Sequence, residues 1–449
     1  MKSTANSPLK FILNALARDK VLLLFIIAAI VGFSGSLLVY IFRLSFFDIR
    51  HLVAPQASGM VDLAKDLPWW ERLVLPVAGG ALAGALLEYG LNRLPRCGPD
   101  DYLEAIMIGD GKLSIRNTLI KSLASLCSIS SGASIGREGP MVQLAAMAGS
   151  ALGRVVKLSP DDLRLLVACG ATAGLAAAYN APIAGLLFIV EIAYGKISKQ
   201  TLTPMIVAAV ISVVVAHHFF GINAIYQIPK FSLAADWKIV TYAGLGLLCG
   251  VMAPAFRCML DLSRAGFRRL GSSRVLTMAL GGLGVGLISV WNPNVWGNGY
   301  SVVDSILLTD WTWKALLTIL VLKIVATSLS YGSGAVGGVF TPTIFVGAAL
   351  GALYGHMYSL AEPGQNSIIL SYTLVGMGAF LSSVTYAPLM SILMIYELTL
   401  SYEIVLPLML ACVISHHVAQ IIRADSIYEK KTCDVVLDSA KSPDSPEKA

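Results

Sequence analysis

Charge is scarce in this sequence: Asp, Glu, Lys and Arg make up only 13% of its 449 residues, against about 25% in a soluble domain. So few charges cannot dress the surface of a globular protein, which argues against a soluble enzyme, a secreted scaffold or a disordered chain. A cysteine framework is also missing. The seven cysteines are scattered, odd in number, and form no Cys-x-x-Cys pair, so neither a disulfide scaffold nor a zinc site is expected. The polar–apolar alternation of an outer-membrane barrel is absent, as are HExxH, a P-loop and any nucleophile–base pair at recognisable spacing. No cleavable signal is expected in the first residues. A net charge of +6 is too small to suggest nucleic-acid binding.

What the sequence does have is 56% hydrophobic residues, 41 glycines and a mean hydropathy of +0.72. These define an all-α polytopic membrane protein. Charge-free runs such as Leu165–Val190, Ile324–Ala361 and Pro363–Tyr396 exceed the ~20 residues of one span. Gly and Pro interrupt them, so each is expected to fold back as two helices or to stop partway across. Non-helical backbone at that depth survives only inside protein or along a wet cavity. Residues 1–20 are expected to form a basic amphipathic helix on the membrane surface. A transmembrane region spans 21–428, and a polar, disordered tail covers 429–449. Basic clusters at Arg93 and Arg96, Lys196 and Lys199, and Arg264 to Arg274 place those segments, and both termini, in the cytoplasm.

The membrane region repeats itself. APIAGLLFIVE puts Glu191 nine residues after Pro182, and APLMSILMIYE puts Glu397 nine residues after Pro388, about 200 residues later. Upstream lie GREGP (Gly136–Pro140) and GGVFTP (Gly337–Pro342). Two halves, about 21–225 and 226–428, follow, and paired Gly/Pro-interrupted segments point to a transport site between them. Each glycine loop leads into a helix, whose N-terminus offers free N–H groups and partial positive charge to an anion. Glu138 lies inside the first loop, where a carboxylate at membrane depth is expected to be functional. Its negative charge can occupy the anion's place until protonation or an incoming anion displaces it. Glu191 and Glu397 read as structural helix-end residues. The His217-His218 and His416-His417 pairs are not expected to form a metal site, since adjacent histidines face different sides of a helix.

SGASIGREGP, GGVFTP, WGNGY, YNAPIAGLLFIVE, APLMSILMIYE and the late Tyr428 together resemble the signature segments of the CLC family of chloride channels and proton–chloride exchangers, from about residue 20 to 430. The resemblance implies a homodimer with one pore per subunit, each built from two inverted halves of tilted helices. It implies Glu138 as the gating glutamate, with backbone around Arg137 and Gly139 lining an outer anion site. Backbone N–H groups of Val339 and Phe340 and the hydroxyl of Tyr428 would line a central site. No cofactor is implied; the ligand is the transported chloride, in an inner (plasma) membrane of bacterial type.

Two departures from the family stand out. Its Gly-Ser-Gly-Ile-Pro signature corresponds here to Arg96-Cys97-Gly98-Pro99-Asp100, so the anion-facing serine is replaced, with Cys97 as the nearest substitute. A thiol donates more weakly than a hydroxyl, which puts anion selectivity in question. The family's exchangers also carry a second glutamate immediately after the position of Glu191, where this chain has Ile192. Isoleucine cannot relay a proton, so the expectation is voltage-driven, channel-like chloride conduction. Proton-coupled antiport is the alternative, and an intramembrane enzyme is the more remote one.

Overall fold

The computed structural model describes residues 20–53, 59–92, 99, 101–221, 225–229, 239–271, 273–359, 366–423, 425 and 427–428. The expected surface helix at 1–20 (all but Lys20), the Cys97–Gly98 pair and the tail at 429–449 lie outside these residues. Among the described residues the chain forms seventeen α-helices, and its only strand-like feature is one isolated bridge. The first series is α1 (Lys20–Val53), α2 (Met60–Asp66), α3 (Trp69–Asn92), α4 (Tyr102–Met107), α5 (Ile115–Ser130), α6 (Glu138–Val155), α7 (Pro160–Tyr179), α8 (Pro182–Ile189) and α9 (Lys199–Phe220). A π-turn, Val190–Tyr194, extends α8. The second series is α10 (Ile239–Arg269), α11 (Arg274–Trp291), α12 (Tyr300–Leu308), α13 (Trp313–Gly332), α14 (Phe340–Ser359), α15 (Asn366–Thr385), α16 (Pro388–Thr399) and α17 (Val405–Ile422).

The long charge-free runs break where proline and glycine predict. Leu165–Val190 divides into α7 and α8 at Asn180, which takes a left-handed conformation, and Pro182 opens the next helix. Pro363–Tyr396 divides at Tyr386 in the same way, with Pro388 opening α16. Ile324–Ala361 divides between α13 and α14. Elsewhere ordinary caps set the helix starts: the hydroxyls of Ser114, Ser159 and Thr312 accept from backbone N–H groups of α5, α7 and α13.

Packing follows the same repeat. α6 lies on α7 as α14 lies on α15; α1 lies on α9 as α10 lies on α17; and α9 and α17 pack on α7 and α15. Across the halves, α3 packs on α11 and α8 on α16. Nine helices are long and apolar enough to cross a membrane among the described residues. Of these, α7 and α15 are 94% buried within the protein, whereas the other seven are 28–50% buried. The most buried helices therefore hold the centre and the rest turn a face outward. Small residues on α6 and α7 (Ala145, Gly149, Gly170 and Gly174) bring those backbones together, the usual way helices associate in lipid.

The α8–α16 contact is capped reciprocally. Ala181 and Ala387 precede these helices and supply no side-chain cap. Glu397, near the end of α16, instead accepts from the backbone N–H groups of Ile183 (2.9 Å) and Ala184 (2.8 Å) at the start of α8. Glu191, in the π-turn after α8, accepts from Leu389 (3.1 Å) and Met390 (2.7 Å) at the start of α16. Each carboxylate satisfies two orphan donors of the other half, where the helix dipole also favours negative charge. Both glutamates are thus structural helix-end residues.

Candidate anion site

The two glycine loops meet. Gly136 donates its N–H to the Gly338 carbonyl (2.7 Å) and Gly338 donates back to Gly136 (2.9 Å), forming an antiparallel bridge. Two residues past the bridge on each side, α6 begins at Glu138 and α14 at Phe340, and both carry proline at their third position (Pro140, Pro342). Proline suits the first turn because its missing N–H would have no helical partner there. No side chain caps α6. The bridge therefore sets two helix N-termini side by side.

Glu138 folds back over this junction and is 3% exposed. A Cβ on Gly136 would collide with its Oε2, so only glycine leaves the carboxylate room to lie there. Oε1 accepts a long hydrogen bond from the Tyr300 hydroxyl (3.5 Å), and Oε2 makes no hydrogen bond of normal geometry among the described residues. Arg137, Thr341 and Asn298 are its other electrostatic neighbours. The Tyr179 hydroxyl pairs with Thr341 Oγ1 at 3.0 Å. Lys323, fully buried on α13, donates to the carbonyls of Val295 (3.0 Å) and Gly297 (2.7 Å), which pins the loop carrying Asn298 and Tyr300.

Glu138 borders a cavity of about 620 Å³, whose lining also includes Gly139, Val339, Phe340, Tyr428 and Asp101. Arg264 and Arg274, which flank the α10–α11 turn, line it as well. Phe188 stands edge-on to both Tyr428 (centroids 5.5 Å apart) and Phe340 (6.0 Å). An aromatic wall thus frames the helix starts, and the only hydroxyl on that wall among these three rings belongs to Tyr428.

The structure therefore brings Glu138, Gly139, Val339, Phe340 and Tyr428 to one cavity. Arg137 does not line the cavity: its guanidinium faces the rings of Phe46 (5.3 Å) and Tyr300 (6.0 Å) and acts on Glu138 electrostatically. Ile192 sits in the π-turn, packed against the core and away from the cavity lining. Cys97 and Gly98 fall outside the described residues. The histidine pairs stand apart: His217 bonds Asn180 at 2.6 Å and His416 stacks edge-on against Tyr386. No cluster of potential metal ligands occurs among the described residues. Sequence reasoning missed Tyr179, Thr341, Asn298 and Asp101 as site neighbours. Asn298 and Tyr300 belong to the WGNGY segment, but the segment itself does not show that it folds over Glu138.

Two helix starts meeting under a buried carboxylate that borders a wide cavity, in a bundle of apolar interrupted helices, define a multi-pass membrane transport protein. Residues 79–420 match the sequence profile described as "Voltage gated chloride channel". A "Putative chloride channel protein ClcB-like" of Ralstonia nicotianae is 51% identical over 408 residues, covering 90% of this chain and 95% of that protein. "Voltage-gated ClC-type chloride channel ClcB" of Citrobacter koseri is 40% identical, covering 91% and 99%. The chain belongs to the voltage-gated chloride channel (CLC) family. Among solved structures, "a slow cyanobacterial Cl-/H+ antiporter" superposes with a TM-score of 0.82 at 23% identity, covering 93% of this chain and 99% of that one. A "CLC-type fluoride/proton antiporter" gives 0.74 at 19% identity, covering 94% and 98%. The fold is the CLC fold.

Proposed function

We propose that this protein carries chloride across the membrane in exchange for protons, with Glu138 as the gate. The observation that carries this reading is the placement of Glu138. Its carboxylate covers the paired helix starts of α6 and α14, and one oxygen there makes no hydrogen bond of normal geometry among the described residues. Ionised, it occupies the anion's place. Protonated, it has no charge for the helix ends to hold and yields to chloride. Backbone N–H groups near Gly139, Val339 and Phe340 and the Tyr428 hydroxyl then receive the ion. Neutral donors bind an anion without the tight grip of a full cation, which allows release.

Exchange is preferred to the passive conduction that Ile192 suggests. The superposable structures are described as antiporters, and the cavity holds further carboxylates, Asp101 and Glu104, besides Glu138. Passive conduction remains the second reading, supported by Ile192 and by relatives named as channels. The protein is proposed to reside in a bacterial-type inner membrane with both termini cytoplasmic, the basic α10–α11 turn facing the same side. A homodimer is proposed to join through the α8, α9, α16 and α17 face. Ile183, Val210, Val214, Leu389 and Val413 are exposed apolar residues there.

Purified protein in liposomes tests the function. Chloride flux is expected, with a reversal voltage that moves when a pH gradient is imposed, and with Glu138→Gln flux becomes independent of pH. Absence of anion flux at every pH and voltage refutes transport. Flux whose reversal voltage ignores the proton gradient establishes passive conduction instead.

A further inference from the structure

We infer that Asp101 is the carboxylate that takes up protons on the cytoplasmic side and passes them to Glu138, the role that Ile192 leaves unfilled. This rests on the exchange reading above. Asp101 and Glu138 line the same cavity. Tyr428 also lines it, and its hydroxyl lies within the electrostatic reach of both carboxylates. Both acids therefore line the cavity that holds the hydroxyl proposed to receive the anion. Asp101 precedes α4, and its Oδ1 accepts from the backbone N–H of Leu103 at 3.4 Å. That bond keeps the carboxyl at the cavity wall.

At about 620 Å³ the cavity has room for many waters, since one needs only about 10–15 Å³ of this volume. The charged groups facing Asp101 around it are Glu104, Lys121, Glu138, Arg264 and Arg274. The hydroxyls of Tyr102, Tyr331 and Tyr428 complete the titratable set among the described residues. Glu104 is the competing acid; Asp101 and Glu138 both act on Tyr428. A bound anion beside Asp101 favours its protonated form, and by linkage protonation favours the anion. The transfer balances: a proton from cytoplasmic water bonds to the Asp101 carboxylate, that O–H bond breaks, and the proton passes through cavity water to the Glu138 carboxylate. Asp101 is left ionised. Glu138, now neutral, leaves the helix starts to chloride.

The test uses the full-length protein in liposomes, with reversal voltage measured under a tenfold proton gradient. Asparagine caps helices as well as aspartate, so Asp101→Asn keeps the α4 start while losing the titration. Wild type is expected to shift its reversal voltage with the proton gradient. Asp101→Asn is expected to follow the chloride gradient alone, Asp101→Glu to restore the shift, and Glu104→Gln to retain it. A full shift in Asp101→Asn, or a shift lost only in Glu104→Gln, overturns the assignment while leaving exchange intact. No shift in wild type overturns exchange and the assignment together. Should Asp101→Asn carry no flux, Asp101→Glu decides: a flux–pH midpoint displaced to higher pH supports the relay, and an unmoved midpoint refutes it.

Discussion

Replacing Glu397 with alanine removes the acceptor for two backbone donors at the start of α8, those of Ile183 and Ala184 at 2.9 and 2.8 Å. Hydrogen bonds to a charged partner contribute about 1.5–3 kcal/mol each, and negative charge at a helix start adds about 0.3–1 kcal/mol. Recovered carboxylate solvation offsets part of this, because Glu397 is buried. The expected loss is therefore about 3 kcal/mol for Glu397→Ala, within the range for an orphaned buried donor pair. Glutamine retains one acceptor oxygen and loses the charge, so Glu397→Gln is expected to cost about half as much. Glu191 is more exposed than Glu397, so Glu191→Ala should cost less than Glu397→Ala. The two caps share no hydrogen-bond partner, so the double variant should equal the sum within about 0.5 kcal/mol. Reversible denaturation in detergent or bilayer measures each value. A Glu397→Ala loss under about 0.5 kcal/mol, the range of an ordinary surface change, would refute the capping argument. A strongly non-additive double variant would show instead that the two carboxylates act as one unit.

Three further outcomes are expected. Gly136→Ala places a Cβ where Glu138 Oε2 lies, so the carboxylate is held away from the helix starts and chloride flux loses most of its pH dependence; a wild-type flux–pH profile would contradict this geometry. Asp261→Asn removes the ion pair to Arg423 (2.6 Å), which anchors the segment leading to Tyr428; a loss of about 1 kcal/mol would weaken chloride binding roughly fivefold, measurable by calorimetry. Lys323→Met strips the donor from the Val295 and Gly297 carbonyls. Stability should fall by about 2 kcal/mol, and the pH at half-maximal flux should move because Asn298 and Tyr300 lose their support; an unchanged midpoint would separate Lys323 from the proposed gate.

Part of the proposed site was legible because its chemistry depends on backbone. GREGP and GGVFTP announce themselves through glycine and proline, whose conformational rules operate locally, so the two loops and Glu138 could be named from residue pattern, whereas Gly139, Val339 and Phe340 were named through the family resemblance. The equal Pro-to-Glu interval in the two halves likewise exposed Glu191 and Glu397 as helix-end residues. Their partners were not legible. Nothing in APIAGLLFIVE says that its glutamate caps the helix of the other half, because that bond joins residues about 200 positions apart. Tyr179 and Thr341 look like any polar residues in apolar helices, and Asp101 like an ordinary N-cap.

Composition and local pattern alone determined the membrane class, the breaks in the helices, the twofold repeat and the carboxylate at the first glycine loop. Each of these follows from properties of neighbouring residues: hydropathy, the φ restriction of proline and the freedom of glycine. Only the tertiary structure decided that Gly136 and Gly338 bond to each other, that Glu138 lies over both helix starts, and that Asp101, Tyr428 and Glu138 share one cavity. Those relations depend on the packing of distant helices, and a residue's type does not record which distant backbone will come to face it.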